Sequence, residues 1–172
     1  MKNLLYLFII SALFVSFGAC KNDDKADDAW REANTDAYEA ITKNPAYQAL
    51  QTETGPTGVY YKVIQSGTGT EYPLQTSNVE VLYKGTYYDG TVFDSGTSGS
   101  GVPMELSLGS LIRGFSFALQ NMTVGDKWEI WVPYYLGYGE SGYYNSSTGQ
   151  TIIQGYTTLV FEVELVSITL YP

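Results

Sequence analysis

The spacing of apolar positions changes three times along this chain. From Leu4 to Phe17 it is nearly continuous (LLYLFIISALFVSF), broken only by Ser11 and Ser16. Between Ala26 and Ile41 the apolar residues Trp30, Ala33, Ala37, Tyr38 and Ile41 recur at helical spacing with charges between them, which predicts a helix over 27–42. Pro45 suits the first turn of a second short helix near 45–51, and Thr54-Gly55-Pro56-Thr57-Gly58 predicts a hinge. Trp30 either docks on the main domain or faces solvent; the pattern leaves both open.

From Gly58 onward the period drops to two. Val59 to Gln65 is rich in β-branched and aromatic residues, and Val79 to Lys84 alternates as a half-buried strand does. Asp89-Gly90 marks a tight turn before Val92-Phe93-Asp94, Ser95 to Gly101 (SGTSGSG) reads as a flexible loop, and Met104 to Leu108 is a further strand. One helical stretch follows, Leu111 to Asn121, with Ile112, Phe115, Leu119 and Met122 on one face. Trp128–Val132 and the long run Thr158–Ile168 complete the set. Five or six strands and one short helix define an α+β domain, an antiparallel sheet packed on one helix.

Composition narrows the chemistry. The chain has 172 residues, 9 basic against 18 acidic, for a net charge of −9, and such a balance repels phosphate backbones, so no nucleic-acid partner is expected. There is no histidine, which removes Ser-His-Asp and Cys-His catalysis together with His-ligated zinc. One cysteine, Cys20, allows neither an intrachain disulfide nor a thiolate cluster, so no metal and no cofactor are expected. Aromatics are abundant, at 16 Tyr, 7 Phe and 3 Trp. They line cores and apolar pockets alike.

The N-terminal run has a charged start at Lys2 and small residues at its end, which describes a secretory signal peptide over 1–19. It is short for a spanning helix, which needs ~20 apolar residues. Phe17-Gly18-Ala19-Cys20 resembles the bacterial lipobox, which implies lipidation of Cys20 and attachment to a membrane through the lipid anchor only. The expected location is the outer membrane or cell surface, extracytoplasmic, with the face undetermined. Residues 20–53, with four basic and eight acidic side chains, then form an acidic helical spacer ahead of a domain over 58–172.

Within that domain, Gly58–Gly69 (GVYYKVIQSGTG), Val81–Gly85 (VLYKG), Asp89–Ser95 (DGTVFDS), Leu111–Phe115 (LIRGF), Asn121–Trp128 (NMTVGDKW), Val132–Gly139 (VPYYLGYG) and Thr158–Leu165 (TLVFEVEL from Thr158) occur in the order seen in FKBP-type peptidyl-prolyl cis-trans isomerases. The resemblance covers about 58–168, two thirds of the chain. It implies a half-open antiparallel β-sheet wrapped around one short α-helix, with an apolar pocket between them that receives a proline ring. By position, Tyr83, Phe93, Asp94, Ile112, Phe115, Tyr138 and Phe161 correspond to the catalytic set, and Leu111 and Ile153 to further substrate-binding wall positions. Met104 lies near an aromatic position of some members. The resemblance gives Phe115 the pocket floor, Ile112 a backbone N–H for a substrate or macrolide carbonyl, Tyr138 a hydroxyl donor and Asp94 an orienting role at the edge. Proline-containing polypeptides are the implied partners, with a macrolide as the implied inhibitor class.

The chain departs from the family pattern at three places, one of them a short loop between Gly109 and Leu111, as in many bacterial members. Phe115 replaces the usual floor tryptophan, and the flap between Gly142 and Ile152 is longer than in small members, with Gln154-Gly155 where a proline pair often stands. Tyr134, Tyr135, Tyr138, Tyr143, Tyr144 and Tyr156 surround this flap. They are either a stacking surface or rings packed beneath a long loop, and the second is preferred for all but Tyr138. Glu129, Glu162 and Glu164 alternate along strands as on a solvated sheet face. Three functions compete: an active prolyl isomerase, a binding module of the same fold without useful turnover, and an inert structural lipoprotein.

Overall fold

The computed structural model describes residues 22–96 and 101–169, with side chains from residue 27 onward. The signal-peptide and lipobox readings, including Cys20, lie outside the described residues. The first element is helix α1, Asn22–Thr42. Strands β1 (Gln48–Thr52) and β2 (Gly55–Gln65) follow as an antiparallel hairpin. Next come β3 (Asn78–Tyr87), β4 (Val92–Ser95), β5 (Met104–Ser107), helix α2 (Arg113–Leu119) and β6 (Lys127–Val132). A small hairpin, β7 (Tyr143–Asn145) and β8 (Gln150–Ile153), precedes the long β9 (Leu159–Thr169).

The main sheet runs β1-β2-β6-β9-β3-β4, with β5 also on β3. Both β4 and β5 use the outer edge of β3: β5 pairs with residues 78–81 and β4 with 84–86. The chain therefore parts from β3 around Tyr83, between the two. The period-two pattern explains which face is inside. On β6, Trp128, Ile130 and Val132 point inward and are buried, while Lys127, Glu129 and Trp131 point outward. Val59, Val79, Val81, Val163 and Leu165 do the same on their strands, and Phe115, Ala118 and Leu119 of α2 close the core from the other side. The sheet thus wraps a single short helix, as an α+β domain.

Two expectations for the region before Gly58 are corrected. Residues 48–52 form an edge strand where a short helix was predicted over 45–51, because Leu50 is buried in the core and the segment pairs with β2. The 54–58 segment is no hinge: Gly55 takes φ +124° in the tight β1–β2 turn, and β2 runs on from it without a break. Helix α1 is longer than the predicted 27–42 and docks. The Trp30 indole N–H donates to Thr157 Oγ1 at 3.1 Å, and its ring meets Tyr87 edge-on at 5.6 Å. The Tyr38 hydroxyl donates to the Gly58 carbonyl at 2.6 Å.

On the outer face Glu129 is not simply solvated. Tyr47 and Trp131 donate to it, and Lys62 pairs with it at 3.1 Å. Burial alone would push its carboxyl up, but the three donors outweigh burial and hold it below the ordinary range.

A buried carboxylate staples the turn that leads into β6. Asp126 accepts from the backbone N–H of Gly67 at 2.7 Å and from both the N–H and hydroxyl of Thr123 at 2.6 and 3.0 Å. Gly67 has no room for a side chain there: a Cβ would lie 2.3 Å from the Val124 carbonyl oxygen. Asp126→Ala leaves these donors unpaired, and we expect a loss of about 2–4 kcal/mol of unfolding free energy, read as a lower urea midpoint at unchanged slope.

Candidate active site

The pocket forms where β3, β4, β5, β9 and α2 converge. Tyr83 comes from the inner face of β3, at the parting of β4 from β5, and Phe161 from the neighbouring strand β9, where it pairs with Gly85. Gly85 is required here, because a Cβ would sit 2.7 Å from Cζ of Phe93. Its absence lets the Phe93 ring lie across the sheet. Phe115 rises from α2 and stacks on Phe161, with ring centroids 4.6 Å apart and planes 15° apart. Phe93 meets Phe161 edge-on at 5.7 Å, and Tyr83 tilts over Phe115 at 5.8 Å. Offset and edge-to-face contacts of this kind are the favoured arrangements of aromatic rings, so the group holds its own shape.

These rings enclose a cavity of about 180 Å³. At ~30 Å³ per molecule that is the share of about six waters, room for a five-membered ring and its amide. Its lining is Tyr83, Phe93, Asp94, Leu106, Ser110, Leu111, Ile112, Phe115, Tyr138 and Phe161. Asp94 is the one charged residue among them. Larger hollows of about 310 and 270 Å³ lie elsewhere, each lined by several charges.

The polar groups sit at the rim. The Tyr83 hydroxyl donates to Asp94 Oδ2 at 2.7 Å. Burial, and then the Asp94 carboxylate that accepts its proton, push the Tyr83 phenol well above its ordinary range. Tyr138 is raised as well, by burial first and then by the charge of Asp94 and the neighbouring Tyr143. Both hydroxyls therefore keep their protons in any near-neutral medium and serve as hydrogen-bond donors. Ile112 precedes the first turn of α2 with extended backbone (φ −57°, ψ 144°). Its carbonyl accepts from Ser116 N–H at 3.1 Å, while its own N–H meets no protein acceptor among the described residues.

The structure thus brings together eight of the ten positions singled out in the sequence for the pocket. Met104 stands outside the lining, 41% exposed, with its sulfur 4.0 Å from the Tyr83 hydroxyl. Ile153 is not a wall residue. It is 2% exposed and belongs to the core, because the β8 alternation turns Ile152 outward and Ile153 in. Leu106 and Ser110 line the pocket and were missed; Leu106 carried an alternation signal on β5, and Ser110 carried none. The flap tyrosines also differ from expectation. Tyr143 and Tyr144 are 48% and 58% exposed rather than packed beneath the loop, and Tyr143 stacks on Tyr138 at 5.5 Å. The flap itself is the β7–β8 hairpin, which pairs with no strand of the main sheet.

A sheet wrapped on one helix, with a nearly uncharged aromatic pocket between them, defines the class, and the comparisons give it a family. The family model described as FKBP-type peptidyl-prolyl cis-trans isomerase matches residues 69–166, more than half of the chain. The chain belongs to that family. It is 43% identical over 111 residues to the FKBP-type 22 kDa peptidyl-prolyl cis-trans isomerase of Escherichia coli, covering 64% of this chain and 50% of that one. It is 38% identical over 142 residues to the outer membrane protein MIP of Legionella longbeachae, covering 80% of this chain and 58% of that one. The crystal structure of a peptidyl-prolyl cis-trans isomerase from Pseudomonas syringae superposes with a TM-score of 0.69 at 31% identity, covering 83% of this chain and 96% of that one. The chain spans about half the length of the curated relatives it matches.

The raised phenols give a pH signature. Unfolded tyrosines ionise near ~10, so above that pH the folded state binds more protons than the unfolded one. The stability carried by the neutral phenols is complete below this value and is lost as pH rises toward their folded values. With no histidine in the chain, the thermal midpoint is expected to stay flat from about pH 7 to 9 and to fall above about 10, with a shallower fall in Tyr83→Phe.

Proposed function

We propose that this protein is a peptidyl-prolyl cis-trans isomerase acting on X-Pro bonds of proline-containing polypeptides. The carrying observation is the aromatic pocket of about 180 Å³ with Asp94 as its one charged lining residue. Rotation about an X-Pro amide faces a barrier of ~18–20 kcal/mol, because twisting breaks the resonance between nitrogen and carbonyl. The planar amide is the more polar form, and water favours it. A proline ring against Phe115 and Phe161 leaves its amide among ring faces and edges instead of water, which gives the twisted form a relative gain. Binding the twisted amide better than the planar one is what lowers the barrier.

Three groups at the rim have geometry to steer this. The Ile112 N–H, which meets no acceptor among the described residues, is available to a substrate carbonyl, or to a macrolide carbonyl. Tyr138 offers a donor from the flap side. Asp94, held by the Tyr83 hydroxyl, presents its remaining acceptor capacity at the mouth. No step needs a nucleophile, a proton relay or a metal.

Supporting an envelope location, the sequence carries a signal-peptide pattern ending at Cys20, and the MIP relative is named an outer membrane protein. On this reading Cys20 is lipidated and anchors the mature chain to a membrane, at the outer membrane or cell surface. The second reading, a partner-binding module without useful turnover, draws on Phe115, whose single ring makes a smaller floor than the tryptophan usual in the family.

A protease-coupled or NMR-exchange assay on an Ala-X-Pro-Phe peptide tests the first reading. Asp94→Asn keeps the shape of the rim and is expected to lower kcat/KM about 10-fold or more, corresponding to at least ~1.4 kcal/mol of transition-state stabilisation. A folded wild-type chain without turnover transfers the conclusion to the binding module. For the anchor, expressed full-length chain is expected in the detergent phase of a Triton X-114 separation, and Cys20→Ser in the aqueous phase or retained as uncleaved precursor.

A further inference from the structure

We propose that Asn34 of α1 is a positioning residue for the pocket: through it the N-terminal helix holds the return end of the flap and so sets how the pocket's flap side presents to a polypeptide. The inference rests on the isomerase reading for its kinetic part only. Asn34 is fully buried, unusual for an amide on a helix that is acidic and otherwise largely exposed. Every one of its polar groups is used. Its Oδ1 accepts the Thr158 N–H at 2.8 Å, its backbone carbonyl accepts the Thr158 hydroxyl at 3.2 Å, and its Nδ2 donates to the Trp30 carbonyl at 2.8 Å.

Trp30, one turn earlier, extends the clamp. Its indole N–H donates to Thr157 Oγ1, and that hydroxyl in turn donates to the Gln154 carbonyl at 2.6 Å. Gln154 also donates to Asp27 Oδ1 at 2.8 Å. Helix α1 therefore grips residues 154–158, the segment between β8 of the flap and β9.

That segment reaches the pocket by two short routes. Tyr156 N–H donates to the Gly139 carbonyl at 3.0 Å, next to Tyr138, and Tyr156 holds φ +59° to do so. A non-glycine residue in this conformation persists only where its surroundings fix it. The second route runs from the Trp30 ring to Tyr87, and from Tyr87 to Phe93 at 5.2 Å, while the Tyr87 hydroxyl donates to the Ile152 carbonyl at 3.3 Å. The flap needs such support, because an isolated two-stranded hairpin is marginal in water and β7–β8 pairs only with itself.

The test compares the full chain with Asn34→Ala and with Ile41→Ala, which empties a buried site in the last turn of α1 away from the clamp. Amide exchange over residues 143–158 is followed by mass spectrometry, and kcat/KM is measured well below the unfolding midpoint. In Asn34→Ala the flap amides are expected to exchange about tenfold faster while those of β6 stay protected, and kcat/KM to fall three- to tenfold. Ile41→Ala is expected to lower the midpoint and leave both flap exchange and kcat/KM as in the parent. Equal effects from the two variants, or unaltered flap exchange in Asn34→Ala, overturn the proposal. An absence of turnover in the parent chain defeats the isomerase reading instead, and the exchange measurement still decides the clamp.

Discussion

The stack of Phe115 on Phe161 is the contact on which both the core and the pocket depend. One ring belongs to the helix and the other to the middle of the sheet, so the contact is at once the closure of the hydrophobic interior and the floor of the hollow. Each ring is nearly buried on the side facing Leu119, Ile130 and Val163, yet each contributes to the cavity lining. A pocket built this way costs little extra ordering, since its shape is fixed by packing that the fold requires anyway. The same economy limits change: a smaller ring at either position opens a void in the core as well as enlarging the site.

Polar chemistry is confined to the edge of this arrangement. Asp94 remains exposed and tied to Tyr83, so its charge is solvated on one side and hydrogen-bonded on the other. A carboxylate placed deeper among the four rings would meet a heavy desolvation penalty. The two wide grooves elsewhere carry several lysines and glutamates in their walls, where this pocket carries one carboxylate. What distinguishes the site is therefore its clustered rings with a single charged side chain, and volume alone would select the wrong hollow.

Much of this was legible in the residues, for reasons that differ by element. Strand β6 was readable because its alternation is strict and one face is wholly buried, and β9 because its run of β-branched and aromatic residues is long. Phe93, Phe115 and Phe161 were placed by ordered motifs, since periodicity alone cannot tell a core ring from a pocket ring. Strand β1 was missed because Pro45 and Ala46 imitate a helix start, and only Leu50 among its five residues is buried. Ile153 was misplaced because a one-residue step along a flap strand exchanges the inner and outer faces. The docking of α1 was left open at Trp30, and its Asn34 contact was not readable: Asn34 carries no apolar signal, and its partner Thr158 lies 124 residues further along. Polar long-range contacts of this kind leave no periodic trace.

The run of α1 from Asn22 into the contacts at Asp27, Trp30 and Asn34 is unbroken. It bears on how the molecule searches its surroundings. With the lipid proposed at Cys20, the helix begins two residues past the acyl attachment and is fastened to the folded domain from Asp27 onward, so five helical residues, about 8 Å, lead up to the first contact. Such a short lead would keep the domain close to the lipid rather than at the end of a long tether. On that proposal the pocket mouth would work within a thin layer above the bilayer, where polypeptides emerging at that height would meet it first.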